Sequence, residues 1–151
     1  MDTHRRTVEA PEDLRVRTSA VSLRVLLIDD HPPFRQTLAY LLRKAGHTVD
    51  EAGNGSAGLA SLRMHPADLV ITDRDMPGLS GWEVARLVKA LEPRLPVLLV
   101  TGGVDARVEG RQDPPCVDAI LWKPFAISDL LDLIVQFTGD RSTAAGPRRA
   151  A

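Results

Sequence analysis

The chain of 151 residues holds one cysteine, Cys116, so no disulfide can form within it. Such usage fits a reducing compartment. No apolar run approaches the roughly 20 residues that a membrane-spanning helix needs. Arg5-Arg6 does not begin an export signal, because no apolar stretch follows it. Neither sign of charge is in excess: the formal net charge is −1, which gives no global attraction to nucleic acid or to an anionic membrane. Periods typical of solenoid repeats are missing as well. By elimination a cytoplasmic protein is expected, with no nucleic-acid partner and no membrane partner. What is present, 44% hydrophobic and 26% charged residues, is an ordinary globular composition. The length suits one domain with a real core.

The chain is organised around Leu69-Val70-Ile71-Thr72, a branched apolar run that reads as a buried strand and stops at Asp73. Four other short runs read as strands: residues 23–28, 47–52, 97–100 and 119–122. The run at 47–52 is interrupted by Asp50 and Glu51 and belongs nearer a sheet edge. Helical spacing separates the runs. Phe34, Leu38, Leu41, Leu42 and Ala45 form one stripe, which Gly46 ends. Asn54 or Ser56 caps a second helix running to about Met64. Ser80 with Glu83 makes a capping box ahead of Val84, Leu87, Val88 and Leu91. The pattern between Val104 and Gln112 is a weak helix, and Ser128 is expected to cap a last one carrying Leu130, Leu131, Ile134 and Phe137.

Strands alternating with helices predict a parallel sheet covered on both faces, a three-layer α/β domain of five strands and five helices. Its expected extent is residues 22–138, after a flexible leader at 1–21 and before a disordered tail at 139–151.

The chemistry collects at the strand ends. The first strand ends in Asp29-Asp30, the third in Asp73, the fourth in Thr101 and the fifth in Lys123. In an open parallel sheet these positions share the edge where ligands bind. Three carboxylates together raise one another's pKa unless a cation sits among them. A hard divalent cation such as Mg²⁺ takes oxygen ligands and suits that set. The hydroxyl of Thr101 and the ammonium of Lys123 can hold the oxygens of an anion brought to the cation. The set reads as phosphoryl transfer, with Asp73 the nucleophile and the metal and Lys123 the charge stabilisers.

Asp29-Asp30, Asp73-Arg74-Asp75-Met76-Pro77 with Gly81, Thr101, and Lys123-Pro124-Phe125 together resemble the receiver domain of two-component response regulators. The resemblance runs from the first strand through the last helix, nearly all of the chain expected to be ordered. It implies a flavodoxin-like (β/α)5 fold, doubly wound, with strand order 2-1-3-4-5. It implies that Asp73 accepts a phosphoryl group from the phosphohistidine of a sensor histidine kinase or a histidine phosphotransfer protein. Asp29 or Asp30, with Asp73 and the backbone carbonyl of Asp75, would hold Mg²⁺. Thr101 would be the switch hydroxyl, and Lys123 would contact the phosphoryl group. Such a protein is a phosphoacceptor and not an enzyme, although it can assist its own phosphorylation and dephosphorylation.

Three positions depart from the pattern. Ile120 stands where an aromatic residue is usual, Cys116 where a glycine is frequent, and Arg74 where an apolar residue follows the acceptor. Ile120 puts the usual threonine–aromatic switch in question but not the phosphorylation chemistry. The segment from Val104 to Cys116 is expected to be the switching part, with Trp122 reporting on it.

Other motifs compete. Gly53-Asn54-Gly55-Ser56-Ala57-Gly58 satisfies the G-x-G-x-x-G pattern of dinucleotide sites. It follows the second strand, however, and leaves the strand-end residues unexplained. Asp73-Arg74-Asp75 resembles the D-x-D pair of haloacid-dehalogenase-type phosphatases, which that family carries on its first strand. A receiver that binds partners without being phosphorylated would be expected to lack one of Asp29, Asp30, Asp73 or Lys123, and none is lacking. His4, His31, His47 and His65 lack metal-ligand spacing and read as surface or packing residues; Met64 and Met76 read as core fillers. Few residues follow the last helix, so the signal is expected to leave through a downstream protein partner. The alternative is a receiver cut from a longer DNA-binding regulator, since His31-Pro32-Pro33-Phe34-Arg35 resembles the start of such receivers. Homodimerisation is left open.

Overall fold

The computed structural model describes residues 21–102 and 116–143. The leader, the segment 103–115 and residues 144–151 lie outside the described residues. So do the weak helix expected between Val104 and Gln112 and nearly all of the expected switching segment.

Five parallel strands, β1 (Arg24–Ile28), β2 (Thr48–Ala52), β3 (Leu69–Asp73), β4 (Val97–Thr101) and β5 (Ala119–Trp122), form one sheet in the order 2-1-3-4-5. Four helices are described: α1 (Pro32–Lys44), α2 (Gly55–Met64), α3 (Gly81–Leu91) and α4 (Ile127–Thr143). Side chains alternate across a strand, so each buried strand feeds two cores. Val25, Leu27, Leu69, Ile71, Leu98 and Val100 pack with Leu38 and Leu42 of α1 and Leu130 and Ile134 of α4. On the other face Leu26, Ile28, Val70 and Val97 pack with Leu59 and Leu62 of α2 and Val84, Ala85 and Val88 of α3. Each fully buried Leu, Ile or Val contributes about 1.5–3 kcal/mol relative to exposure.

Local signals place the helix starts. The His31 ring accepts from the N–H of Phe34 at 3.4 Å, and Pro32-Pro33 occupy the first turn, where a missing N–H costs nothing. Asn54 caps α2 by accepting from the N–H of Ala57 at 2.8 Å, so Ser56 is not the cap. The Ser80–Glu83 capping box forms in both directions, at 2.8 and 3.3 Å. Gly46 ends α1 at a φ of +100°, a conformation that side chains avoid.

Several expectations are corrected. Ser128 lies inside α4 and does not cap it; instead the Asp129 carboxylate accepts from the N–H of Ala126 at 3.4 Å. That helix runs through Gly139 to Thr143, past the expected boundary at 138, because one internal glycine costs only about 1 kcal/mol. In α3 the buried stripe is Gly81, Val84, Ala85 and Val88, leaving Leu87 and Leu91 exposed at its margin. Met76 is buried, but Met64 is 76% exposed, because α2 buries Gly55, Gly58, Leu59 and Leu62 and turns its last residue outward. Leu23 and His47 stand outside the strands expected to contain them. Both are nevertheless buried, and the Leu23 N–H donates to His47 Nδ1 at 3.1 Å.

Two glycines of G-x-G-x-x-G, Gly55 and Gly58, are packing residues. A Cβ at Gly58 would collide with the Ile28 side chain, and one at Gly55 would press on Val84 and Leu79. They let α2 lie close on β1 and α3.

Candidate functional site

Four strand ends carry the site, and the sheet's own hydrogen bonds hold each of them. The N–H of Asp29 donates to Ala52 O at 3.1 Å, that of Arg74 to Val100 O at 3.0 Å, and that of Lys123 to Thr101 O at 2.8 Å. Asp29 and Lys123 therefore sit one residue beyond β1 and β5, while Asp73 and Thr101 are the last residues of β3 and β4. The expectation that these side chains share one edge holds.

The carboxylates of Asp29, Asp30 and Asp73 converge, with one oxygen of each lying within 4.8 Å of the others. Asp29 and Asp73 are buried, at 1% and 8% exposure, and Asp30 is exposed. Lys123 Nζ stands 3.8 Å from Asp29 Oδ2 and 3.7 Å from Asp73 Oδ1. One ammonium thus faces two of the three converging carboxylates. Burial pushes the Asp73 carboxyl above its ordinary value, and Asp29 reinforces that shift. Lys123 and the backbone N–H groups of Asp75 and Arg74 oppose it without cancelling it. An all-oxygen set with excess negative charge, open on the Asp30 side, fits a hard divalent cation such as Mg²⁺.

Thr101 is fully buried on β4, in register with Trp122 of β5. The carboxylate of Asp75 is exposed and lies 3.7 Å from Arg74 Nε, apart from the converging three. Ile120 is half-buried and pairs with Leu99 across β4 and β5. Cys116 is half-buried against the α2–α3 core. His31 and His65 are exposed and His47 is buried, so the surface-or-packing reading holds for these three, while His4 lies outside the described residues.

Two further residues at the site, Arg35 and Phe34, carry no sign of a site role in the sequence. Arg35 Nη1 donates to the backbone carbonyl of Asp29 at 2.8 Å, and its Nε stands 3.4 Å from Glu51 Oε1. It ties the acidic loop to α1 and β2. Phe34 places its ring 4.2 Å from Lys123 Nζ. Beside it Phe34, Thr37, Leu38, Leu41, Pro124, Phe125 and Lys123 border a mostly apolar cleft of about 420 Å³.

The family model for the response regulator receiver domain matches residues 25–135. The receiver protein CpdR of Brucella abortus is 33% identical over 111 residues, which cover 74% of this chain and 92% of CpdR. The virulence sensor protein BvgS of Bordetella pertussis is 50% identical over 72 residues, 48% of this chain but only 6% of BvgS. Among solved structures, the response regulator TrrA of Thermotoga maritima, in complex with Mg²⁺ and BeF, superposes with a TM-score of 0.67 at 30% identity. That match covers 76% of this chain and 97% of TrrA. These matches decide against the dinucleotide and phosphatase readings. No described helix is long and apolar enough to cross a membrane. The chain belongs to the response regulator receiver domain family of two-component signalling, phosphoacceptor modules rather than enzymes in the ordinary sense.

Proposed function

We propose that Asp73 is the phosphoacceptor, charged by a sensor histidine kinase or a histidine phosphotransfer protein in a cytoplasmic relay. The observation that carries this reading is the convergence of Asp29, Asp30 and Asp73, with Lys123 Nζ 3.7 Å from Asp73 Oδ1. A carboxylate oxygen of Asp73 attacks the phosphorus. A P–O bond forms as the P–N bond of the donor breaks, and the imidazole nitrogen keeps the electron pair.

Asp29, Asp30 and Asp73, with the backbone carbonyl of Asp75, are the residues that would hold Mg²⁺. When bound, Mg²⁺ offsets the charge of the carboxylates and of the incoming anion. Lys123 supplies a compact cation to the phosphoryl oxygens, and Thr101 supplies a hydroxyl at the neighbouring strand end. The half-buried site limits the competing access of water. Output passes through contacts with a downstream protein, without nucleic acid or membrane binding by this chain.

Calorimetry with the phosphoryl mimic beryllofluoride tests this reading. The wild type should bind it only with Mg²⁺ present, and Asp73→Asn should not bind it. Equal binding by the two proteins would overturn the assignment.

A further inference from the structure

Lys123 Nζ has three neighbours that attract a cation. Two are the carboxylates of Asp29 and Asp73, at 3.8 and 3.7 Å, both longer than a hydrogen bond. The third is the face of Phe34, with its centroid 4.2 Å away, inside the range of a cation–π contact. The ring is itself held in place. Phe34 lies in the first turn of α1, where its N–H donates to His31 at 3.4 Å. Its ring meets Phe125 edge-on, with centroids 6.2 Å apart and planes at 89°. Phe125 follows Lys123 by two residues, so the aromatic pair clasps the loop that carries the ammonium.

We infer that Phe34 is a positioning residue for Lys123, whose ring face keeps the ammonium at the site once the carboxylates are compensated. The inference rests on the proposed phosphoacceptor role. Asp29 and Asp73 attract Lys123 only while their charge is unopposed. A divalent cation among them removes that attraction and adds repulsion at short range. Freed of its partners, a half-exposed lysine would swing into solvent, where its ammonium is best hydrated. The electron-rich face of Phe34 belongs to an uncharged group that the metal does not neutralise. It therefore remains an attractive station beside Asp73 when the anion arrives. Leucine fills similar apolar space but has no such face.

The test begins with the wild type, titrated with Mg²⁺ and then with beryllofluoride. No binding by the wild type would overturn the phosphoacceptor reading and this inference with it. Given wild-type binding, Phe34→Leu should weaken beryllofluoride roughly three- to tenfold, the scale of a partly desolvated cation–π contact. Affinity for Mg²⁺ alone should stay within about twofold. Phe34→Tyr should restore the anion affinity. Ring-fluorinated phenylalanine at position 34, which keeps the shape and drains the ring of electron density, should reproduce the loss. Urea midpoints accompany each titration, and the fluorinated residue decides the matter if Phe34→Leu does not fold. In a Lys123→Met background the effect of Phe34→Leu on the rate of labelling by a small phosphodonor should vanish. Wild-type affinity in the fluorinated protein, or an undiminished Phe34→Leu penalty without Lys123, would overturn the inference.

Discussion

Gly81 leaves no room for a side chain above Asp73: a Cβ there would collide with the carbonyl oxygen of Asp73 and press on Leu99 and on Arg74 Cα. The Gly81 N–H donates to Arg74 O at 2.8 Å, so the start of α3 rests on the backbone of the candidate acceptor. Because the obstructing atoms are mostly backbone, the strain has to move β3 or α3. Gly81→Ala should therefore cost about 1–3 kcal/mol in urea unfolding. It should also weaken Mg²⁺ binding, since the displaced residue is a proposed ligand. A stability loss with unchanged Mg²⁺ affinity would show that α3 and the site are independent.

His47 gives the fold a pH dependence of known sign. Burial pushes its imidazole below the ordinary value of 6.5, and Nδ1 accepts the Leu23 N–H at 3.1 Å only while unprotonated. The unfolded chain thus binds the proton more readily than the fold. This contribution is fully present above about pH 6.5 and is lost as pH falls from there toward the folded pKa. The urea midpoint should drop between pH 7.5 and 5.5, with a slope no steeper than about 1.4 kcal/mol per pH unit. His47→Asn should flatten that slope. An identical slope in the variant would assign it to other groups.

Much of this was legible because buried strands announce themselves. Leu69-Val70-Ile71-Thr72 and Val97-Leu98-Leu99-Val100 are too apolar and too short for anything but central strands. The polar residue ending each run then had to lie at one sheet edge, which gave Asp29, Asp73, Thr101 and Lys123. Gly139 and Ser128 misled because a glycine or serine signals a helix end only weakly, and the packing of Leu130, Leu131 and Ile134 overrides it. Met64 misled because apolar character does not fix which face of a helix a residue occupies. Arg35 and Phe34 were illegible as site residues. Their partners, the Asp29 carbonyl and the Lys123 ammonium, come from other elements, and no local periodicity encodes such a meeting.

The glycines and prolines between Thr101 and Cys116 support a switching role for that segment. A phosphoryl group beside Thr101 would bring new charge and acceptor oxygens next to this segment. Hydrogen exchange across residues 104–116 should slow when Mg²⁺ and beryllofluoride are added. Trp122, in register with Thr101 and next to Lys123, should change its fluorescence in the same titration. With Ile120 in β5, no aromatic ring is present at that position to flip. Constant protection at full occupancy of Asp73 would place the switch elsewhere.

The most direct measurement is covalent labelling by a small phosphodonor, read by intact mass and mapped by fragmentation. The converging carboxylates and Lys123 predict one phosphoryl group per chain, located on Asp73 and dependent on Mg²⁺. EDTA should abolish the label, and so should Asp73→Ala. Labelling that persists in Asp73→Ala with EDTA present would contradict the account.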